Sequence, residues 1–215
     1  YIVDKNLKFV IDERIKRTIE NLEKNNISAY RVENEEEALK KLGELIPEGS
    51  TIGIGGSMTL FEIGAIDFIR KGNYKVLDRY KEGLTPAEMK EIFRKGFFAD
   101  VYLTSSNAVT ENGELYNVDG TGNRVASMLY GPDRVIVVVG INKLVKDIEE
   151  AVIRVEETAA PANTKRLNKG TPCTVTGHCM DCNSERRICN EYTVIRRQGV
   201  KGRMHVIIVN KELGY

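Results

Sequence analysis

Between Ser28 and Glu157 short apolar runs alternate with amphipathic helical patterns, and this alternation limits the possible folds more than any other feature of the chain. Strands are expected at residues 28–32, 51–54, 75–77 and 101–104. A continuous apolar run at 135–139 has the pattern of a strand covered on both faces. Helices are expected between them. One follows Asn34 as N-cap, with Glu37 at the capping-box position and Ala38, Leu39, Leu42, Leu45 and Ile46 turned inward. Others are expected at 57–70, at 85–95 with Pro86 in the first position, and at 147–157 with Ile148, Val152 and Val155 on one side. Strand–helix alternation with short connections predicts an α/β, Rossmann-like, mostly parallel sheet flanked by helices.

Two segments depart from the alternation. Residues 108–116 contain Glu111-Asn112-Gly113-Glu114, a hairpin turn signal in which Asn112-Gly113 favours positive φ. Residues 171–190 are rich in Cys, Thr and Asn and lack periodicity. Ahead of the core, Ile11, Ile15, Ile19 and Leu22 recur at helical spacing, a face suited to a sheet or to a partner. The organisation expected is a helical segment over 1–27, an α/β core over 28–170, a cysteine-rich metal-binding loop over 171–190, and a β-like segment over 191–215 that completes the core.

At 215 residues the chain can bury a sizeable core without disulfides. A formal net charge of +1 argues against a dedicated nucleic-acid binder. No apolar run approaches the roughly 20 residues that span a bilayer, and residues 1–8 do not read as a signal peptide. All four cysteines lie between Cys173 and Cys189. Such clustering in a charge-rich chain reads as metal ligation in a reducing, cytoplasmic compartment, not as a disulfide framework.

Three segments could carry chemistry. The first is Gly53-Ile-Gly55-Gly56-Ser57-Met-Thr59, which leaves a strand and opens a helix. Gly53, Gly55 and Gly56 let backbone approach an anion, and Ser57 and Thr59 add hydroxyls. The segment is neither a Walker loop nor the dinucleotide fingerprint, and its plainer reading is a tight turn with Ser57 as N-cap. The second segment runs from Asp100 to Arg124. There Glu111 and Asp119 are candidates for acid, base or nucleophile. Asn107 and Asn123 are candidate ligand contacts, and Arg124 a bidentate anion holder. The plainer reading is a polar hairpin followed by a capped helix. The third is Cys173-x5-Cys179-x2-Cys182-x6-Cys189. Four thiolates suit a [4Fe–4S] cluster or a structural zinc, and only one close pair is present where zinc sites usually have two. His178 abuts Cys179 and could replace a ligand.

Together these segments resemble the lactate-utilisation (LUD) family. The resemblance is carried by Gly53–Ser57, Thr104-Ser-Ser-Asn-Ala-Val-Thr-Glu111, Asp119-Gly-Thr-Gly-Asn-Arg124, and Ala160-Pro-Ala-Asn163 with Arg166. The tail from Pro172 to Asn190 looks like that of a clostridial-type branch. The resemblance implies a fold similar to ribose-5-phosphate isomerase, glucosamine-6-phosphate deaminase and CoA transferases. In those proteins the glycine loop binds phosphate or CoA, and acidic residues after a later strand do the chemistry. Glu111-Asn-Gly also looks like the segment around a CoA-transferase nucleophile. The family name implies a part in oxidising lactate to pyruvate alongside iron–sulfur proteins.

Two main readings follow. In the first, the chain is an iron–sulfur accessory or redox component of anaerobic lactate or organic-acid utilisation. It binds a phosphorylated, CoA-type or carboxylate ligand at the glycine loop and serves an iron–sulfur or flavin partner. In the second, it is a self-contained isomerase, hydrolase or CoA-transferase-like enzyme using Glu111 or Asp119, with zinc or a cluster. A ligand sensor using the same pocket without turnover is a third reading. A small-molecule ligand is expected in each, no membrane or nucleic acid in any, and the N-terminal apolar face leaves room for a homo-oligomer.

Overall fold

The structure, a computed structural model, describes residues 4–215. The first three residues of the expected N-terminal segment lie outside this range. Six strands form one wholly parallel sheet: β1 (Ser28–Val32), β2 (Thr51–Ile54), β3 (Lys75–Leu77), β4 (Val101–Thr104), β7 (Arg134–Gly140) and β10 (Met204–Val209). Their order is β1-β10-β7-β4-β2-β3, so the last strand of the chain enters beside the first. Four shorter strands, β5 (Ala108–Thr110), β6 (Leu115–Asp119), β8 (Leu144–Val145) and β9 (Glu191–Ile195), build a second sheet in the order β8-β5-β6-β9.

Side-chain alternation along β7 explains how the layers stack. Ile136 and Val138 pack with Ala38 and Leu42 of α2 (Glu35–Leu45), Leu60 of α3 (Met58–Glu62), and Ile66 and Ile69 of α4 (Ala65–Lys71). Val135, Val137 and Val139 point the other way. They meet Ile15 and Leu22 of α1 (Lys5–Lys24), Met128 of α6 (Asn123–Leu129), and Val109, Leu115 and Ile195 of the second sheet. A period of two thus sends one strand into two cores. One face of the parallel sheet is covered by helices, and the other by helices together with the second sheet. A third apolar cluster joins the outer side of the second sheet, through Ala108, Tyr116 and Val118, to Ala151 of α7 (Ile148–Arg154).

Local chemistry sets the element ends. Asn34 caps α2 by accepting from Glu37 N at 3.0 Å, but the Glu37 carboxylate reaches the amide of Glu33, one residue before the expected capping-box partner. A reciprocal capping box instead opens α5 (Pro86–Lys95), between Thr85 and Glu88. The helix expected over 57–70 is broken into α3 and α4 at Gly64, whose φ of 74° is left-handed. The helix expected to end near Glu157 continues through one π turn at Val155–Ala159 into α8 (Ala160–Arg166). Pro161 lacks an amide hydrogen, and the wider turn just before it carries the chain past that gap in the ladder. No helix among the described residues is long and apolar enough to cross a membrane.

Candidate functional site

The C-terminal ends of β2, β3, β4 and β7 deliver the walls of one cleft of about 370 Å³, where open parallel sheets place their ligands. Gly56 and Ser57 follow β2, Arg79 follows β3, Ser105 to Asn107 follow β4, and Lys143 follows β7. Asp119, Asn123 and Arg124 enter from the end of β6 and the start of α6, and Asn163, Arg166 and Lys169 from α8 and its exit. Arg79, Arg124, Lys143, Arg166 and Lys169 line this space, and among the described residues Asp119 is the one acidic side chain in its lining.

Arg79 is held over the glycine loop by aromatic rings. Its guanidinium lies 4.7 Å from the Phe93 ring centroid and 5.5 Å from that of Tyr80. A Cβ on Gly56 would stand 3.4 Å from it, so the loop and the guanidinium touch. Gly55 is needed for packing: an added Cβ would fall 2.3 Å from the Thr104 hydroxyl and 3.2 Å from Arg124. Ser57 accepts from Leu60 N at 3.2 Å and caps α3, as its plainer reading required.

Arg124 is buried and turned inward. One terminal nitrogen donates to Ser105 O at 3.1 Å and Asn117 Oδ1 at 2.6 Å, and the other to Asn107 Oδ1 at 2.9 Å and Val118 O at 3.0 Å. The guanidinium therefore ties β4, β6 and the hairpin together, so its donors are not free for the bidentate anion grip expected of it. Asp119 is likewise engaged. One oxygen accepts from the amides of Arg124 and Val125, closing the first turn of α6, and the other accepts from Gly120 N.

Gly53 packs on Tyr102, and Thr59 sits just behind the cleft wall, where its hydroxyl donates to Leu213 O. Glu111 is elsewhere. β5 leaves the cleft at Asn107 and carries the chain away by about 13 Å over four residues, and β6 brings it back to Asp119. Glu111 therefore stands at the far tip, bonded to Arg14 at 2.7 Å and Arg17 at 2.8 Å. Burial acts to raise its pKa, but the hydrogen bonds and charges of both arginines outweigh it and hold the carboxyl below its ordinary range. The structure brings Asn107, Asp119, Asn123 and Arg124 together with the glycine loop and leaves Glu111 out.

Lys143 was not singled out in the sequence. It is 3% exposed and donates to Thr59 Oγ1 at 2.9 Å and Ser105 Oγ at 3.1 Å. Burial, then the charges of Arg154 and Arg124, push its pKa down to about 7, with Glu62 opposing. Its position after a buried strand was the available signal, the same rule that drew attention to the ends of β2 and β4.

The cysteine loop docks on the rim of this cleft. Asn190 N donates to Asp119 O at 2.8 Å, its side chain to Gly120 O at 2.9 Å, and Gly120 lies against Ile188. Cys173 is buried with its sulfur 3.2 Å from the Thr164 hydroxyl and 3.1 Å from that of Thr171. The Cys179-x2-Cys182 turn is tight: Asp181 has φ 42° and its amide donates to Cys179 Sγ at 3.4 Å. Arg187 donates to the carbonyls of Cys182 and Cys189. Burial, then the charges of Cys189, Glu156 and Cys173, raise the Cys179 pKa. All four thiols are free, and His178 is exposed. Among the described residues no three His, Cys, Asp or Glu side chains are placed to hold a metal ion. The donor set suits thiolate chemistry, but a single-ion zinc site, with four sulfurs about 2.3 Å from one centre, is not preformed.

Comparison with known proteins agrees with the architecture. No curated protein matches the chain. A solved structure similar to it is that of a DUF162 family protein from Deinococcus radiodurans, 18% identical, covering 93% of this chain and 96% of that one with a TM-score of 0.52. At that identity the likeness shows the fold alone. A family model described as LUD domain matches residues 15–209, which include every strand and all of the cleft lining except Tyr215. The chain belongs to the LUD-domain family.

Proposed function

We propose that the cleft binds a small anionic ligand, phosphorylated or carboxylate, as part of lactate or related organic-acid utilisation. Membership of the LUD family supports the pathway, and the charge of the cleft supports the ligand. The observation that carries the reading is the set Arg79, Arg166 and Lys169 around a space whose described lining holds one acidic side chain, Asp119. About 370 Å³ sits near the lower end of the range for ligand pockets, which favours a compact anion over a whole CoA. Calorimetric titration with inorganic phosphate and with lactate tests it. Arg79→Ala and Arg166→Ala are each expected to weaken binding about tenfold, the loss of one charge-assisted contact. Raising the salt concentration should weaken it further. Unchanged affinity in both variants would remove the cationic cleft as the binding site.

The cysteine loop extends the reading. We propose that Cys173, Cys179, Cys182 and Cys189 hold an iron–sulfur cluster, which when bound supplies one-electron transfer to an iron–sulfur or flavin protein. The tight Cys179–Cys182 turn with its amide-to-sulfur bond supports these two as co-ligands, and the presence of one close cysteine pair where zinc sites usually have two favours a cluster over zinc. Anaerobic purification followed by iron, sulfide and zinc analysis is expected to give iron and sulfide together, and Cys179→Ser or Cys182→Ser to lose both. Stoichiometric zinc with no iron would sink the redox reading.

A further inference from the structure

Lysine as an ammonium has three N–H donors and no acceptor, whereas the neutral amine has two N–H groups and a lone pair. At Lys143 two acceptors are present, the hydroxyls of Thr59 and Ser105. Each hydroxyl has its own proton directed elsewhere, Thr59 to Leu213 O at 3.2 Å and Ser105 to Ser106 O at 3.3 Å. Each hydroxyl oxygen is therefore set to accept from the lysine nitrogen. Among the described residues no third acceptor meets that nitrogen and no carboxylate pairs with it. A buried nitrogen whose partners are two neutral hydroxyls is a setting that favours the neutral amine over the ammonium. This nitrogen belongs to a residue that lines the cleft with Ser57, Ser105 and Tyr215, and a Cβ on Gly214 would stand 3.4 Å from it.

A neutral, desolvated lysine amine fixed in a ligand pocket is a nucleophile for carbonyl carbon. We propose that Lys143 forms an imine with a small anionic oxo compound, a 2-oxo acid or a ketose phosphate, held in the cleft by Arg79 and Arg166. The proposal rests on the anion-binding reading of the same cleft and adds the functional group of the ligand. The lone pair of Nζ attacks the carbonyl carbon, and the π pair moves to oxygen, which takes a proton. Nitrogen gives up one proton through the hydroxyls of Thr59 and Ser105. The carbinolamine then loses its hydroxyl together with the remaining nitrogen-bound proton as water, leaving C=N. The net change is amine plus carbonyl to imine plus water, with no oxidant or reductant. A 2-oxo acid also matches the kind of product that oxidation of a 2-hydroxy acid must deliver.

The test is reductive trapping on the full chain. The protein is incubated with pyruvate or with dihydroxyacetone phosphate, treated with borohydride, and read by intact mass and peptide mapping. Lactate and glycerol 3-phosphate, which lack a carbonyl, serve as controls. One adduct on Lys143 is expected with at least one oxo probe and none with the controls. Lys143→Arg and Lys143→Met should lose the adduct while remaining folded by circular dichroism. Labelling of other lysines to the same extent in wild type and Lys143→Met would overturn the proposal. So would the absence of adduct from a probe that calorimetry shows to bind, an outcome that leaves the anion-binding reading standing. If neither oxo probe nor inorganic phosphate binds, the anion-binding reading fails and the imine falls with it.

Discussion

Arg124→Ala is expected to destabilise the protein by about 3–5 kcal/mol, the cost of breaking a buried charged network from one side. For a chain of this size that lowers Tm by roughly 6–20 °C, measurable by scanning calorimetry. The substitution removes four donated hydrogen bonds at once and leaves Asn117 Oδ1 and the Val118 carbonyl without their side-chain donor, while Asn107 Oδ1 keeps only Val118 N and Ser105 O only the Thr104 hydroxyl. Arg124→Lys should recover little of the loss, because a compact ammonium cannot reproduce the planar fork. The opposite pattern, normal melting with lost phosphate binding, would mean that the guanidinium grips the ligand. Burial lowers the pKa of Arg124 while Asp119 opposes, yet an arginine stays charged. Its positive charge therefore persists behind the cleft wall and adds to the field felt by an anion and by Lys143.

The residues of the fold were legible wherever a local rule governed them. The edges of β1 to β4 follow from short β-prone segments set between helical patterns and turn formers, and Gly113 takes the positive φ of 78° that its hairpin turn demands. The break at Gly64 and the π turn before Pro161 were not legible, since the apolar pattern continues through the first and fades before the second. At the site, proximity to strand ends worked for the glycine loop, Asn107 and Asp119. Applied equally to the ends of β3 and β7, it would also have found Arg79 and Lys143. Glu111 was misplaced because a hairpin that starts at a cleft carries its tip away from it. The inward turn of Arg124 depends on partners up to 19 residues away, which no local pattern encodes. A buried amine has the same limit: nothing in Gly140-Ile-Asn-Lys143 announces that Thr59, from a different strand end, will meet it.

Lys143 should leave its mark on stability as a function of pH. Its folded pKa is about 7 against an ordinary 10.5, so between these values the unfolded chain binds a proton that the native chain has released. Stability then rises with pH through this window, at up to about 1.4 kcal/mol per pH unit. The window from pH 7 to 8.5 is the cleanest. His205, whose pKa is depressed by burial, is largely neutral in both states there. Tyr102 and Tyr116, pushed up to about 12 by burial, act with the opposite sign only near and above their ordinary value of 10. Cys179, raised by burial, opposes from about its ordinary value of 9. The groups facing Lys143 are Arg154 and Arg124, which disfavour its charge, and Glu62, which favours it. Wild type is therefore expected to gain roughly 1–2 kcal/mol from pH 7 to 8.5 in denaturant titrations, and Lys143→Met to lose that slope. At pH 7 the variant should be no less stable than wild type. It no longer carries the cost of an uncharged or unpaired lysine, although it leaves the Thr59 and Ser105 oxygens without a donor. A lysine kept for structure alone would give the reverse, a variant weaker at every pH. Parallel pH curves for wild type and Lys143→Met would show that Lys143 stays protonated, and the lone pair on which imine formation depends would be gone. A residue that lowers stability while equipping a pocket with a nucleophile has the signature of a group retained for chemistry.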